Sequence, residues 1–183
     1  MSNVIVFLAD GFEEIEALAP VDFLRRAGIN TVTVGVTGNM VCGAHNIKVE
    51  ADIPLSAVVL SDEVEGIILP GGMPGADNLN NCADVQKAID FCAQKGKMIS
   101  AICAAPFILG DKGLLNNKKA TCFPGFEEHL KDADIIGEGV VKDGNIITAK
   151  GAGVAWEFGA EIAAAIVGEE KSKSILGAIQ WKK

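Results

Sequence analysis

Met98-Ile99-Ser100-Ala101-Ile102-Cys103-Ala104-Ala105-Pro106 is the stretch on which the reading of this chain turns. Met98–Ala101 is short and apolar, as a buried parallel strand is. Cys103–Gly110 has a helical pattern, and Pro106 fits it only in a first turn, where its missing N–H is no loss. Cys103 therefore falls where a strand turns sharply into a helix. Such a turn crowds its neighbours, and Ala101, Ala104 and Ala105 are small enough to allow it. A helix N-terminus would supply free N–H groups and partial positive charge, both of which favour a thiolate. An ordinary thiol, with a pKa of ~8.5, is only a few per cent ionised at pH 7. Making thiolate the major form takes ~3.4 kcal/mol, of which a helix terminus offers up to ~2 kcal/mol, so a second stabilising group is expected. Free cysteines are also common as inert core residues. The local sequence leaves both readings open.

Working outward, the same rhythm of short apolar runs and helices recurs. Val4–Leu8 reads as a first buried strand broken by Asp10-Gly11. Glu13–Ala27 reads as a helix stopped by Gly28, and Thr31–Val36 as a second strand. Met40–Val49, split by Gly43, suggests a small hairpin. Gly66–Leu69 is a strand running into Pro70-Gly71-Gly72, Asp84–Lys95 a helix, and Gly139–Val141 with Ile146–Ala149 a hairpin around Asp143-Gly144. Val154–Val167 is an Ala-rich helix ended by Gly168. Alternating βα units predict an α/β fold with a parallel sheet, and residues 1–183 read as one doubly wound domain.

Composition narrows the function. The 183 residues carry a net charge of −8 and are 49% hydrophobic. Neither nucleic acid nor an anionic membrane suits so acidic a chain. No apolar run reaches the ~18 residues of a membrane span, and no basic segment precedes the first apolar run, so neither a membrane anchor nor a signal peptide is expected. Cys42, Cys82, Cys92, Cys103 and Cys122 are odd in number and form no CxxC pair. A reducing, cytoplasmic compartment is expected, and no metal site is.

Two further segments bear on the cysteine. Leu69-Pro70-Gly71-Gly72-Met73-Pro74-Gly75 follows a strand at the sheet edge where α/β proteins bind ligands. The N–H groups of Gly71 and Gly72 could stabilise an oxyanion there, although a lone Gly-Gly is more often a plain turn. On the first helix, Glu16 shares a face with Phe12, Ala19, Pro20, Phe23 and Ala27, whereas Glu14 lines up with Leu18 and Arg25. A carboxyl on an apolar face must be paired, protonated or functional, and burial raises its pKa. Glu16 is thus the candidate partner of Cys103. His45 and His129 read as surface residues, Cys82 and Cys92 as packing, and Cys122 as a candidate second redox thiol.

The chain resembles the DJ-1/PfpI (ThiJ) family, in particular its DJ-1-like branch. The resemblance runs nearly end to end. It rests on Gly11-Phe12-Glu13-Glu14-Ile15-Glu16, Pro20-Val21-Asp22, Arg25-Arg26-Ala27-Gly28, Leu69-Pro70-Gly71-Gly72, Ala101-Ile102-Cys103-Ala104-Ala105-Pro106, Lys142-Asp143-Gly144 and Gly151-Ala152-Gly153. It implies a flavodoxin-like three-layer sandwich with a mostly parallel central sheet (class I glutamine amidotransferase-like) and a homodimer. It also implies a nucleophile-elbow Cys103 contacted by Glu16, and a site lined by the N–H groups of Gly72 and Ala104. The implied activities are cofactor-free glyoxalase or deglycase chemistry on methylglyoxal-type aldehydes, or redox sensing with chaperone function, in which an oxidant converts Cys103 to a sulfinate. Protease- and amidase-like members place a histidine directly after the cysteine. Here that position is Ala104, which argues against a Cys-His hydrolase. Phe123 stands before Pro124 where the DJ-1 branch often has a histidine, and His45 falls near a loop where relatives carry an arginine that reaches across the dimer.

Overall fold

The computed structural model describes residues 3–182. In chain order its elements are β1 (Asn3–Leu8), α1 (Glu14–Arg26), β2 (Asn30–Gly35), β3 (Met40–Cys42), β4 (Lys48–Glu50), β5 (Ile53–Pro54), β6 (Val64–Leu69), α2 (Gly75–Asn80), α3 (Ala83–Lys95) and β7 (Met98–Ile102). There follow α4 (Pro106–Asp111), β8 (Lys119–Ala120), β9 (Asp134–Ile135), β10 (Val140–Asp143), β11 (Ile146–Ala149), α5 (Ala155–Val167) and α6 (Glu169–Ala178).

Seven strands form the central sheet in the order β10-β11-β7-β6-β1-β2-β5. All neighbours run parallel except β10 against β11. Apolar residues fill both faces, as a sheet covered by helices on both sides requires. On one face Ile5, Phe7, Ile67, Leu69, Ile99 and Ala101 meet Val85, Ile89 and Cys92 of α3 and Ile108 of α4. On the other, Val4, Val6, Leu8, Ile68 and Ile102 meet Ala17, Phe23 and Leu24 of α1 and Phe158 and Ile162 of α5. The three-layer α/β sandwich expected from the sequence is the one observed.

The elements differ from their sequence readings in several places, and the short elements α2, β8 and β9 have no counterpart in those readings. The helix expected over Cys103–Gly110 starts only at Pro106, and Cys103 itself takes a left-handed conformation with φ 65°. Helix α6 follows α5 after Gly168 and was not legible: its first half is dominated by charges, and only Ser172 and Ile175 are buried. Strand β5, two residues long and containing Pro54, closes the sheet edge beside β2. The hairpin expected around Gly43 is present as the antiparallel pair β3–β4. Among the described residues no helix is long and apolar enough to cross a membrane.

Candidate functional site

The carboxyl ends of β1, β6, β7 and β11 lie side by side, and the segments leaving them converge. Cys103 follows β7. Its N–H donates to the Ala149 carbonyl at 2.8 Å, and its own carbonyl accepts from Phe123 N–H at 2.8 Å. A non-glycine residue in the left-handed region costs on the order of 1–3 kcal/mol and persists where its surroundings fix it. Here both backbone groups of the residue are held by neighbouring segments. The result is a half-buried sulfur at the mouth of the sheet, packed on the α1/α5 side.

Glu16 reaches that sulfur from the first turn of α1. Its side chain is 1% exposed. It hydrogen-bonds the Cys103 thiol and accepts from the N–H of Ala152, while Oε2 accepts from Gly71 N–H at 3.0 Å. Gly71 has to be glycine at this contact: a Cβ there would stand 2.6 Å from both Cys103 Cβ and Glu16 Oε2. Gly72, at φ 82°, turns the chain so that its N–H faces the sulfur, as does the N–H of Ala104. The two glycines therefore divide their labour. The N–H of Gly71, expected to serve an oxyanion, is committed to Glu16, and only Gly72 and Ala104 point donors at the sulfur.

The two titrating groups govern each other. Burial, with the charge of Glu13 adding to it, raises the Glu16 carboxyl from 4.5 to about 7, against the hydrogen bonds from Cys103, Gly71 and Ala152. Burial also pushes the Cys103 thiol up, to about 12. The Glu16 charge and its accepting hydrogen bond add to this, and the N–H groups of Ala104 and Gly72 oppose it. This corrects the expectation of a thiol depressed by a helix terminus: α4 begins beyond Cys103, and two amides are what remains. The Glu16 contribution, however, belongs to the ionised carboxylate. Near neutral pH a large share of Glu16 is protonated, and a carboxylic acid donates to a thiolate instead of repelling it. With the carboxyl at about 7 and the thiol at about 12, the pair gives up its first proton near neutrality, chiefly from Glu16, and the two groups titrate as a coupled unit.

The other predicted residues fall around this centre. Cys122 is buried in the core on the α3/α4 face of the sheet, opposite to Cys103, with its thiol pushed up to about 11 by burial. It is therefore not the second redox thiol of this site. Cys92 is core, as expected, and Cys82 stands at the start of α3. His129 is half-buried rather than a free surface residue, its ring 5.3 Å from that of Phe107 and its Nδ1 3.1 Å from Asp111. His45 is exposed, and its ring Nδ1 lies 3.0 Å from Glu14 Oε2 and 3.5 Å from Glu13 Oε1. It faces these carboxylates and not the sulfur.

Glu14 is the residue the sequence misplaced. Instead of lying on the exposed face it is 4% exposed. Its Oε1 accepts from the N–H groups of His45 at 2.9 Å and Ile47 at 3.4 Å, clamping the β3–β4 turn onto α1. Burial works to raise its pKa, but the hydrogen bonds from the His45 ring and the backbone outweigh burial and leave the carboxylate below its ordinary range. Ligand-type atoms of Glu13, Glu14 and His45 lie within 4.8 Å of one another, and hydrogen bonding within the group accounts for their closeness.

These features define a class: an α/β sandwich whose strand-to-helix elbow presents a cysteine to a buried glutamic acid. The chain belongs to the DJ-1/PfpI family, whose model matches residues 2–165. It is 35% identical over 176 residues to the Drosophila melanogaster protein dj-1beta, covering 94% of each chain. The solved structure of Drosophila DJ-1beta superposes with a TM-score of 0.93 at 33% identity, covering 100% of both chains. Oxidized Toxoplasma gondii DJ-1 gives 0.92 at 32% identity, again over 100% of both. The Arabidopsis thaliana protein DJ-1 homolog B is 37% identical, but there the chain spans 40% of the relative's length. A glutathione-independent glyoxalase of Caenorhabditis elegans, DJR-1.2, is 29% identical over 96% of this chain and 94% of its own.

Proposed function

We propose that the protein is a stress-response enzyme that converts methylglyoxal-type 2-oxoaldehydes to 2-hydroxy acids without a cofactor, using Cys103 as nucleophile. The geometry that supports this reading is buried Glu16 hydrogen-bonded to Cys103, in a site edged by the N–H groups of Gly72 and Ala104. The similarity to a glutathione-independent glyoxalase supports it.

With Glu16 protonated and Cys103 ionised, the sulfur attacks the aldehyde carbon and the carbonyl oxygen takes up a proton, giving a hemithioacetal. Glu16 as carboxylate then removes the C1 proton. Protonation of the ketone oxygen gives an enediol; return of the proton from Glu16 to C2, with loss of the C1 hydroxyl proton, then leaves a 2-hydroxy thioester. The N–H groups of Gly72 and Ala104 stabilise the oxygen charge that develops along the way. Water cleaves the thioester, releasing the hydroxy acid and restoring the thiol. Ala104, where hydrolase-like members carry histidine, leaves Glu16 as the proton carrier of the site. The test is lactate formation from methylglyoxal by the purified chain; equal rates in wild type and Cys103→Ser would eliminate the mechanism.

A second reading is favoured by the likeness to a DJ-1 structure in its oxidized form. In it an oxidant such as peroxide converts Cys103 to a sulfinate, and protonated Glu16 donates a hydrogen bond to the new oxygen. Mass spectrometry after mild peroxide distinguishes the two. A gain of two oxygen atoms confined to Cys103, without aldehyde turnover, selects the sensor; no selective oxidation removes it.

We also propose that the chain works as a cytoplasmic homodimer. Exposed Ile15 and Ile47, with Leu18 and Trp156, line an apolar depression beside α1, the kind of surface a second copy covers. The acidic composition and five free cysteines suit a reducing compartment. Sedimentation at micromolar concentration, with Ile15→Asp as the dissociating variant, tests the dimer.

A further inference from the structure

Where the loop after β11 passes Glu16 lies an open depression of about 410 Å³, lined by residues 150–154 with Phe123 and Pro124. Its wall is almost wholly carbon, and Lys150 is its one ionisable member. Phe123 is 46% exposed in the single chain, so much of its aromatic ring faces outward. The ring is not free to wander. Its backbone N–H donates to the carbonyl of Cys103, so wall and nucleophile move together.

Gly151 joins this wall to the reacting groups. A Cβ placed there would lie 3.4 Å from a Phe123 ring carbon and 4.0 Å from Glu16 Oε1. The next residue, Ala152, donates its N–H to the Glu16 carboxyl. A molecule captured by Cys103 and touching Glu16 therefore has this largely apolar depression within reach of the rest of its body. Away from Lys150, a polar substituent seated there meets mostly carbon, whereas an apolar one gains burial.

We infer that this cavity receives the carbon substituent of the electrophile captured by Cys103, so that aryl and bulky alkyl 2-oxoaldehydes are taken in preference to methylglyoxal, with Phe123 as the residue that sets the preference. The inference rests on the reading of Cys103 and Glu16 given under Proposed function. Phe123 acts here on specificity and moves no proton.

Two measurements on the full chain test it and separate its failure from that of the underlying reading. The first compares kcat/KM for phenylglyoxal and methylglyoxal in wild type, Phe123→Ala and Phe123→His. A ratio of about tenfold in favour of phenylglyoxal is expected, of the order a well-placed apolar pocket gives, falling toward unity in both variants. The second compares labelling rates of Cys103 by N-phenylmaleimide and N-methylmaleimide, each divided by its rate with glutathione, and needs no turnover. The phenyl reagent should be favoured in wild type and lose that advantage in Phe123→Ala. No turnover of either aldehyde, with a labelling preference that depends on Phe123, overturns the glyoxalase reading and keeps the pocket. A preference that is absent, or unchanged by both substitutions, overturns the pocket.

Discussion

Replacing Glu16 by glutamine should change how the protein's stability depends on pH. Burial holds the Glu16 carboxyl at about 7 against its ordinary 4.5. A group whose folded pKa is raised binds its proton more tightly when folded. Its contribution is therefore fully present below pH 4.5, shrinks as the pH rises, and is gone once the pH passes about 7. The interval from 4.5 to about 7 corresponds to about 3 kcal/mol, a conversion that applies because the side chain is 1% exposed and water does not screen it. Glutamine does not titrate and keeps an oxygen to accept from Gly71 N–H, so the variant is spared this loss. For a chain of this length about 3 kcal/mol is worth roughly 6–12 °C in Tm. The assay is thermal unfolding of wild type and Glu16→Gln at intervals from pH 4.5 to 8. Subtracting the two curves cancels every group they share. The difference should grow in favour of the variant as pH rises and level off above about 7. A difference that is flat across this range would refute the claim that burial dominates the carboxyl.

The same substitution tests the thiol. At pH 9, where Glu16 is ionised, Glu16→Gln should alkylate at Cys103 faster than wild type, because the charge that helps push the thiol to about 12 is removed; at pH 6 the gap should narrow or reverse, and iodoacetamide kinetics read both. Gly71→Ala forces a Cβ to within 2.6 Å of Cys103 Cβ and Glu16 Oε2, so a loss of roughly 1–3 kcal/mol in denaturant unfolding is expected, together with loss of turnover. Because Glu14 raises the pKa of the exposed His45 ring, first through their hydrogen bond, the NMR titration midpoint of His45 should lie above 6.5 and fall in Glu14→Gln. Glu14→Ala should speed hydrogen exchange at the amides of His45 and Ile47, which lose their shared acceptor.

Much of this site was legible before any coordinates, and the reason is geometric. Parallel strands separated by helices must bring the carboxyl ends of neighbouring strands together, so Cys103, the Gly71-Gly72 turn and the start of α1 were bound to meet. The helical spacing of Phe12, Ala19, Phe23 and Ala27 then singled out Glu16 as the inward carboxyl. The same wheel failed for Glu14, because what buries Glu14 is not its own helix. It is covered by the turn from Gly43 to Ile47, some thirty positions away in sequence, whose N–H groups face it. The sign of the Cys103 shift was misread for a related reason. A helix start three residues later, and a carboxylate whose charge depends on its own burial, are facts about distance that a string of letters does not carry. Cys122 could be placed near the site by its neighbours in the chain, but its side chain packs into the core on the opposite face of the sheet. Phe123 stood out only as a departure from relatives; its exposure and the cavity beneath it come from the folded chain.

The bond from Phe123 N–H to the carbonyl of Cys103 has a practical corollary for anyone wishing to redirect this scaffold. The tether runs through main-chain atoms, so it survives any exchange of the aromatic side chain but not a change in the length of the segment that carries it. Libraries that randomise position 123 should retain an intact nucleophile in most clones, whereas insertions or deletions between Ala120 and Phe123 should silence the sulfur before they broaden what it accepts.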